Sequence, residues 1–304
     1  MVDLRAALPL ISLGLALTDV SGFSTDFDEA PLKIMSFNLR TSLANDPCPQ
    51  GCWSERKDRI QQMLAKYQPD FIGTQEGAPD QIAYFQDDLG YASIGECSGE
   101  CRWNERDSIF YSPDRWELLE NKTFALSDTP DIIPSNTWNL EYLRTAVLGR
   151  FRDALSGHVV CMLNTHYDIT RGQTNSSILV TNEITQFCQD GEKVVMTGDL
   201  NALPENPAVK YLLNETALNG EYTPIPFYET LTAGGAGGPT WVGSSFGNAT
   251  TGGKIDYILS RHDDCSCVRN ATVILDTFGG YSVSDHAAVQ TEFCLGSGCT
   301  SCVA

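Results

Sequence analysis

The chain is poor in positive charge and in histidine. Lys and Arg number 20 against 39 Asp and Glu, giving a formal net charge of −19 and a sequence pI of about 4.4. No basic stripe runs through any segment, so tight electrostatic capture of long nucleic acid is disfavoured, although a local cationic site or a bound metal can override the average. With only 4 histidines, the cysteine pairs lack partners at the spacing a zinc site needs. Beyond the N-terminus no apolar run reaches the length of a membrane span. The glycine-rich stretch Ala233 to Pro239 precedes neither a Lys-Ser/Thr pair nor a helix start. It reads as a mobile loop rather than a phosphate loop. No repeat, long linker or low-complexity tract divides the 304 residues, so one domain is the simplest organisation.

What is present at the N-terminus points to export. Arg5 precedes an apolar run from Ala6 to Leu17, broken only by Pro9, Ser12 and Gly14, and Val20-Ser21-Gly22 supplies small residues for cleavage. Residues 1–22 are therefore expected to be a signal peptide and 23–304 a single secreted domain. Asn121, Asn175, Asn214, Asn248 and Asn270 stand in Asn-x-Ser/Thr, the acceptor pattern for N-glycans. Of 11 cysteines, Cys48/Cys52, Cys97/Cys101, Cys265/Cys267 and Cys299/Cys302 cluster in loop-like or terminal segments, where disulfides suit an oxidising compartment. Cys161 lies inside an apolar strand and is expected to be a buried free thiol.

Along the chain, strands are expected at Leu32 to Arg40, Phe71 to Glu76, Ser108 to Tyr111, Arg144 to Phe151, His158 to Leu163, the run before Asp199, Lys254 to Leu259 and Ala287 to Phe293. Ser54 is positioned to cap a helix carrying Ile60, Met63, Leu64 and Tyr67 at helical spacing. Pro79 opens a second helix, Ile178 to Cys188 reads as a third, and Pro204 to Pro207 opens a short fourth.

The chain is organised around Val194 to Asn201, where a short apolar strand exits at Gly198 into Asp199-Leu200-Asn201. If the backbone stays extended there, Asp199 and Asn201 point to one side; Gly-Asp-x-Asn is also an ordinary turn sequence. Other strands likewise end in chemically useful residues: Asn38, Glu76, His166, and Asp285 with His286. Collected on one rim, they form an active-site pattern. Glu76 offers a hard carboxylate, for which Mg²⁺ or a similar cation fits. Asp199 can act as base for a water, His286 can donate to a phosphoryl oxygen, and Asp256 can fix the His286 ring from behind. His166 is a second candidate donor.

These motifs resemble the endonuclease/exonuclease/phosphatase superfamily, which includes pancreatic-type deoxyribonuclease, abasic-site endonucleases, neutral sphingomyelinases, inositol-polyphosphate phosphatases and deadenylases. The resemblance rests on Phe37-Asn38-Leu39-Arg40, Gln75-Glu76, Asn164-Thr165-His166, Gly198-Asp199-Leu200-Asn201, Lys254-Ile255-Asp256-Tyr257-Ile258 and Ser284-Asp285-His286, in family order over residues 32 to 293. It implies an α+β fold, a four-layer α/β/β/α sandwich of two face-to-face mixed β-sheets with helices outside. It further implies that Glu76 is the principal Mg²⁺ ligand, helped by Asn38 and by Asp285, with Mn²⁺ or Ca²⁺ as alternatives. Asp199 and Asn201 would position and activate the water, His286 would pair with Asp256, and His166 would face the phosphate with Glu105 as its partner. Asn38, Arg40 and Arg144 would contact substrate phosphate. The implied protein is a secreted, monomeric, metal-dependent phosphoric ester hydrolase without a transmembrane segment. Its substrate would be a phosphodiester in nucleic acid or a small molecule. The alternatives are a phosphomonoesterase on sugar, inositol or nucleotide phosphates, and a catalytically silent binding protein on the same scaffold. Within that superfamily the chain resembles a secreted or bacterial branch typified by Thr-His, Gly-Asp-x-Asn and Arg/Lys-Ile-Asp-Tyr-Ile, but the segment Tyr167 to Gly172 lacks the Arg-rich helix start expected in that branch.

Overall fold

A computed structural model describes residues 31–261 and 266–295. The proposed leader and Cys265, Cys299 and Cys302 lie outside these residues. The chain runs β1 (Leu32–Asn38), α1 (Trp53–Tyr67), β2 (Phe71–Gly77), α2 (Pro79–Ala83), β3 (Ala92–Ile94), β4 (Arg106–Tyr111), β5 (Trp116–Ala125), β6 (Thr145–Asp153), β7 (Val159–His166), α3 (Gln173–Phe187), β8 (Lys193–Asp199), α4 (Pro207–Leu212), β9 (Phe227–Glu229), α5 (Thr230–Ala233), β10 (Asp256–Arg261), β11 (Ser266–Ile274) and β12 (Ala288–Leu295). The strands form two six-stranded sheets, β11-β12-β1-β2-β4-β3 and β5-β6-β7-β8-β10-β9. Both have the same plan. A central parallel pair, β1/β2 or β7/β8, is flanked on each side by antiparallel strands. Each parallel pair is joined across a 15-residue helix, α1 or α3, as parallel neighbours require.

Side-chain alternation sorts the central strands into layers. On β1, Ile34 packs between the sheets while Met35 and Phe37 pack outward with Ile60, Met63 and Leu64 of α1. On β8, Val195 faces inward while Val194 and Met196 pack with Val180 and Ile184 of α3 and Val209 and Leu212 of α4. The result is the α+β, four-layer sandwich of two mixed sheets with helices outside. Each fully buried aliphatic or aromatic side chain contributes about 1.5–3 kcal/mol, so three such layers of contact carry the fold.

Some local expectations are corrected. α1 begins at Trp53, and its N-cap residue is Cys52, which makes no side-chain capping bond; Ser54 is already helical. α3 begins at Gln173, before Ile178. Cys161 is not free: it is bonded to Cys188, tying β7 to the end of α3. Cys48 is bonded to Cys52 and Cys97 to Cys101, and Cys267 and Cys294 are also disulfide-bonded.

Toward one end of the sandwich the inter-sheet layer turns polar. Asn164 of β7 accepts from Gln75 Nε2 at 2.7 Å and Thr197 Oγ1 at 3.0 Å, and donates to the Thr74 carbonyl at 2.8 Å and the Ser108 carbonyl at 3.2 Å. One buried amide thus joins the two sheets with both ends satisfied. Gly73 makes room for it: an added Cβ would overlap Thr197 Oγ1 and come within 2.6 Å of Asn164 Oδ1. Gly73→Ala is therefore expected to destabilise the fold by about 1–3 kcal/mol through overpacking, read as a lower urea midpoint at unchanged m-value. An unchanged midpoint would contradict this account of the inter-sheet contact.

Candidate active site

Parity continues from the core into the site. The inward series on each central strand ends in a functional group: Ile34, Ser36, Asn38 on β1; Met162, Asn164, His166 on β7; Val195, Thr197, Asp199 on β8. Register then sets them side by side, His166 opposite Asp199 and Asp256 opposite Asp199. Glu76 reaches the same space through a β-bulge between Thr74 and Gly77, where its φ is 61°. Of the eight non-glycine residues with positive φ among the described residues, Arg40, Glu76 and Asn201 stand in this site. Such backbone strain concentrates where the surrounding structure holds a functional geometry. The shared cleft has a volume of about 660 Å³.

Asp199 is the centre. Its Oδ2 lies 3.1 Å from Asn38 Nδ2, 3.5 Å from His166 Nε2 and 3.7 Å from His286 Nε2. Its Oδ1 accepts from the backbone N–H of Asn201 at 2.9 Å. The chain does not stay extended after Asp199: Asn201 takes a left-handed turn, φ 45°. Its amide reaches His166 Nε2 at 3.1 Å and the Tyr167 carbonyl at 3.0 Å. The two residues therefore meet through a turn rather than by strand alternation.

Each imidazole is held from behind by a carboxylate. His286 Nδ1 lies 3.1 and 3.0 Å from the two oxygens of Asp256. Burial opposes its charge, but Asp256 and then Asp199 outweigh burial and push His286 up to about 10. His166 Nδ1 lies 2.8 Å from Glu105 Oε2. Arg144 Nη1 lies 2.8 Å from the same Nδ1, so Nδ1 donates to Glu105 when it carries the proton and accepts from Arg144 when the proton is on Nε2, which then faces Asp199. Arg144 is buried beside this pair and ion-paired to Glu105. Burial alone would raise Glu105, but Arg144 and then His166 hold it down at about 2. Neighbouring Asp107 is raised well above its ordinary range by burial and by Glu105.

Glu76 Oε1 accepts from Asn38 Nδ2 at 3.2 Å and its Oε2 from the backbone N–H of Thr41 at 3.0 Å. Asn38 Oδ1 accepts from the backbone N–H of Arg40 at 2.9 Å. Asn38 thus lies between Glu76 and Asp199 with its amino group turned to both carboxylates. Arg40 is anchored to Asp46 through Nε and Nη2 at 2.8 and 3.0 Å, with Asp285 Oδ2 3.6 Å from its Nε. Burial raises Asp285, and Glu76 raises it further. Two other sets of carboxylate and imidazole atoms lie within 4.8 Å of one another, Glu105–Asp107–His166 and Asp199–Asp256–His286. In the first a guanidinium already supplies the positive charge, and in both the histidine is bonded to its carboxylate.

Sequence reasoning missed the residues that hold the site's loops. Arg56 of α1 is fully buried and donates to the carbonyls of Gly51, Leu39, Arg40 and Val283 at 2.7, 2.5, 2.6 and 3.3 Å. Arg59 reaches Ser282, Pro49 and Gln50 carbonyls at 2.7, 2.9 and 2.7 Å. These arginines join the loop after β1 to the loop carrying Asp285 and His286, and Ser284 Oγ donates to the Asn38 carbonyl at 2.8 Å. Two arginines one helical turn apart, beside Ile60 and Met63, were the available signal.

The buried Arg144–Glu105 pair yields a stability prediction. A carboxyl held low in the folded state stabilises the fold above its ordinary range and loses that contribution as pH falls through about 2. Glu105→Gln leaves Arg144 buried without its partner, which costs about 3–5 kcal/mol. Urea unfolding should show that deficit at pH 7 and a shrinking one as both proteins approach pH 2. A deficit independent of pH would refute the assignment.

Residues 35–286 match the model of the Endonuclease/Exonuclease/phosphatase family. No curated protein matches the chain. Similar solved structures include an endonuclease/exonuclease/phosphatase family protein from Bacteroides thetaiotaomicron, with TM-score 0.77 and 24% identity over 87% of this chain and 98% of that one. A mannosyl-6-phosphatase from the same organism gives TM-score 0.76 and 24% identity over 86% and 99%. The human Nocturnin catalytic domain gives 0.62 and 19% over 87% and 94%. At these identities the likeness is one of fold, but the family model spans the strands, the cleft and every motif from Asn38 to His286, and the chain belongs to the endonuclease/exonuclease/phosphatase family.

Proposed function

We propose that the chain is a metal-dependent phosphoric ester hydrolase that uses Asp199 to activate water against a small phosphate ester. The observation carrying this reading is the convergence on Asp199 Oδ2 of Asn38 and the Nε2 atoms of both His166 and His286. Asp199 receives the proton of the attacking water while its other oxygen stays fixed by the Asn201 N–H. The water oxygen bonds to phosphorus, the ester P–O bond breaks opposite it, and the departing alkoxide takes up a proton. His286 is placed to hold a phosphoryl oxygen or to supply that proton, and Asp256 keeps its ring aligned. Arg40, which lines the cleft, would hold a phosphoryl oxygen, and Asn38 would fix Glu76 and Asp199 beside it.

The donor chemistry fits a hard divalent cation. Glu76 and Asp285 are carboxylates whose mutual repulsion contributes to raising Asp285, and oxygen ligands of this type favour Mg²⁺ or a similar ion. Glu76 with Asp285 would hold it, and when bound it would neutralise charge on the phosphoryl group. Among the residues lining the cleft the only Lys or Arg are Arg40 and Arg144, both ion-paired. With a net charge of −19, this favours a small ester over a long polyanion. The similar mannosyl-6-phosphatase is a precedent for a monoester. The phosphodiester reading is second, supported by the presence of two guanidiniums at one cleft.

Export to an oxidising compartment is part of the same proposal. It is supported by the disulfides Cys48–Cys52, Cys97–Cys101 and Cys161–Cys188 and by the exposure of all five acceptor asparagines. Among the described residues no helix is long and apolar enough to cross a membrane. Intact mass of the exported protein before and after reduction is expected to show a mature chain starting near Phe23 with internal disulfides. Retention of Met1 with all thiols free would reject export.

For catalysis, Asp199→Asn and His286→Ala should each lower kcat by about 10²–10⁴ with smaller changes in KM. The double variant should be far less impaired than the product of the two, because they act in one step. Glu76→Gln should fold yet lose most metal-dependent turnover, and chelator should abolish wild-type turnover. Full activity in folded Glu76→Gln, or a His286→Ala kcat within a few-fold of wild type on the best substrate of a phosphomonoester and phosphodiester panel, would overturn the mechanism.

A further inference from the structure

Ten large hydrophobic side chains are exposed among the described residues, and five of them, Leu43, Trp103, Tyr142, Ile169 and Trp241, line the catalytic cleft. They come from five different loops, after β1, before β4, before β6, after β7 and before β10. Half of these exposed side chains thus surround one opening. Apolar surface concentrated in this way marks a binding site rather than ordinary surface scatter.

The loops are built to hold that rim. Trp103 is 71% exposed, yet its loop is closed by the Cys97–Cys101 disulfide and by Trp103 N–H and Asn104 N–H bonds to the Glu100 carbonyl at 2.9 and 3.0 Å. Tyr142 is held from below. Buried Asp168 accepts from the N–H groups of Glu141 and Tyr142 at 2.7 and 3.1 Å, and Arg144 Cζ lies 5.1 Å from the Tyr142 ring centroid. Trp241 pairs through its backbone with His286 itself. The rim is therefore preformed and tied to the floor, as in small-molecule sites.

Its chemistry narrows the occupant. The floor suits a phosphoryl group, while the lining adds the aromatic side chains of Trp103 and Tyr142, each with one arginine over its ring (Arg102 at 5.2 Å, Arg144 at 5.1 Å), and the neutral side chains of Ser98 and Asn104. No lysine lines the cleft, and its two arginines are ion-paired. A second anionic group on the substrate would meet no free cation. A lipid surface is a poorer match, because interfacial binding normally adds Lys and Arg around the apolar residues. Aromatic planes instead fit the face of a ring, whether the C–H face of a sugar or the π face of a base.

We propose that this rim is the alcohol subsite, and that the substrate is a phosphate ester of a compact, uncharged, ring-bearing alcohol, a pyranose or a nucleoside, whose ring lies against Trp103 and Tyr142. The proposal rests on the phosphoesterase reading above. The test uses the full exported protein with Mg²⁺ and three esters: hexose 6-phosphate, nucleoside 5′-phosphate and glycerol phosphate. At least one ring-bearing ester should exceed glycerol phosphate about tenfold in kcat/KM, and which one does so separates sugar from nucleoside. Trp103→Ala and Tyr142→Ala should each raise KM for that ester about tenfold with kcat within a few-fold, the mark of lost substrate binding. Trp103→Phe should recover most of the affinity. Ile132→Ala, an exposed apolar change away from the cleft, should alter neither constant. Equal kcat/KM for ring-bearing and glycerol esters, or a Trp103→Ala defect confined to kcat, would overturn the subsite while leaving the hydrolase reading intact. So would phosphatidylcholine vesicle binding that Trp103→Ala abolishes, which would assign the rim to a lipid surface. Turnover of a phosphodiester with hydrolysis of none of these monoesters would overturn the subsite alone, and turnover of neither class would overturn the hydrolase reading with it.

Discussion

Two sheets packed face to face share one interior, and side-chain alternation decides what fills it. In this protein the inward positions of the central strands change character along their length. Ile34, Met162 and Val195 are apolar, Ser36, Asn164 and Thr197 are polar and hydrogen-bonded, His166 and Asp199 open on the cleft, and buried Asn38 lies behind it against Asp199. Core, inter-sheet polar contact and site are one row of positions read two residues at a time. A register slip of one residue on β8 would turn Asp199 out of the interior and put Leu200 in its place. The site's geometry is therefore inseparable from strand pairing.

The constraint acts across the sheets as well as along them. Asn164 satisfies both ends of its amide with groups from β2, β4 and β8, so the separation and shear of the sheets beneath the site are specified by hydrogen bonds rather than by shapeless apolar contact. A buried amide left half-satisfied would cost about 1–3 kcal/mol, which makes other sheet alignments unfavourable. Arg56 and Arg59 do the same for the loops. Burial pulls Arg56 down to about 10, a measure of the desolvation that its four carbonyl partners must offset. An Arg without those carbonyls would not stay inside the fold.

The eight strands expected from the sequence are the eight interior strands, and the four absent from that reading, β3, β5, β9 and β11, are the four sheet edges. The reason is physical. An interior strand is covered on both faces and carries a dense apolar pattern. An edge strand such as β5 exposes Glu117, Glu120 and Asn121, which keeps it from pairing further and also removes the periodic signal. The site residues were legible because they end interior strands. Less legible was whatever depends on three dimensions: the bulge that aims Glu76, the left-handed turn at Asn201, the Cys161–Cys188 bond across 27 residues, and the orientation of the Asn38 amide. Legible spacing finds residues that share a strand end, but groups such as Arg56 on α1 or Trp103 on its loop meet the site only through the fold.

Asp199 stands between two similar constructions. On each side an imidazole turns Nε2 toward Asp199 and gives Nδ1 to a buried carboxylate, Glu105 for His166 and Asp256 for His286. The difference lies behind them. After burial, Arg144 beside Glu105 is the strongest group opposing charge on His166, and Glu105 with Asp199 outweighs both and raises it. Among the described residues no such cation is paired with Asp256, and His286 rises to about 10. A histidine that keeps its proton throughout the physiological range is suited to hold developing negative charge, because its positive charge does not depend on pH there. The two pairs flanking one carboxylate thus differ by a single buried cation, Arg144, just before β6.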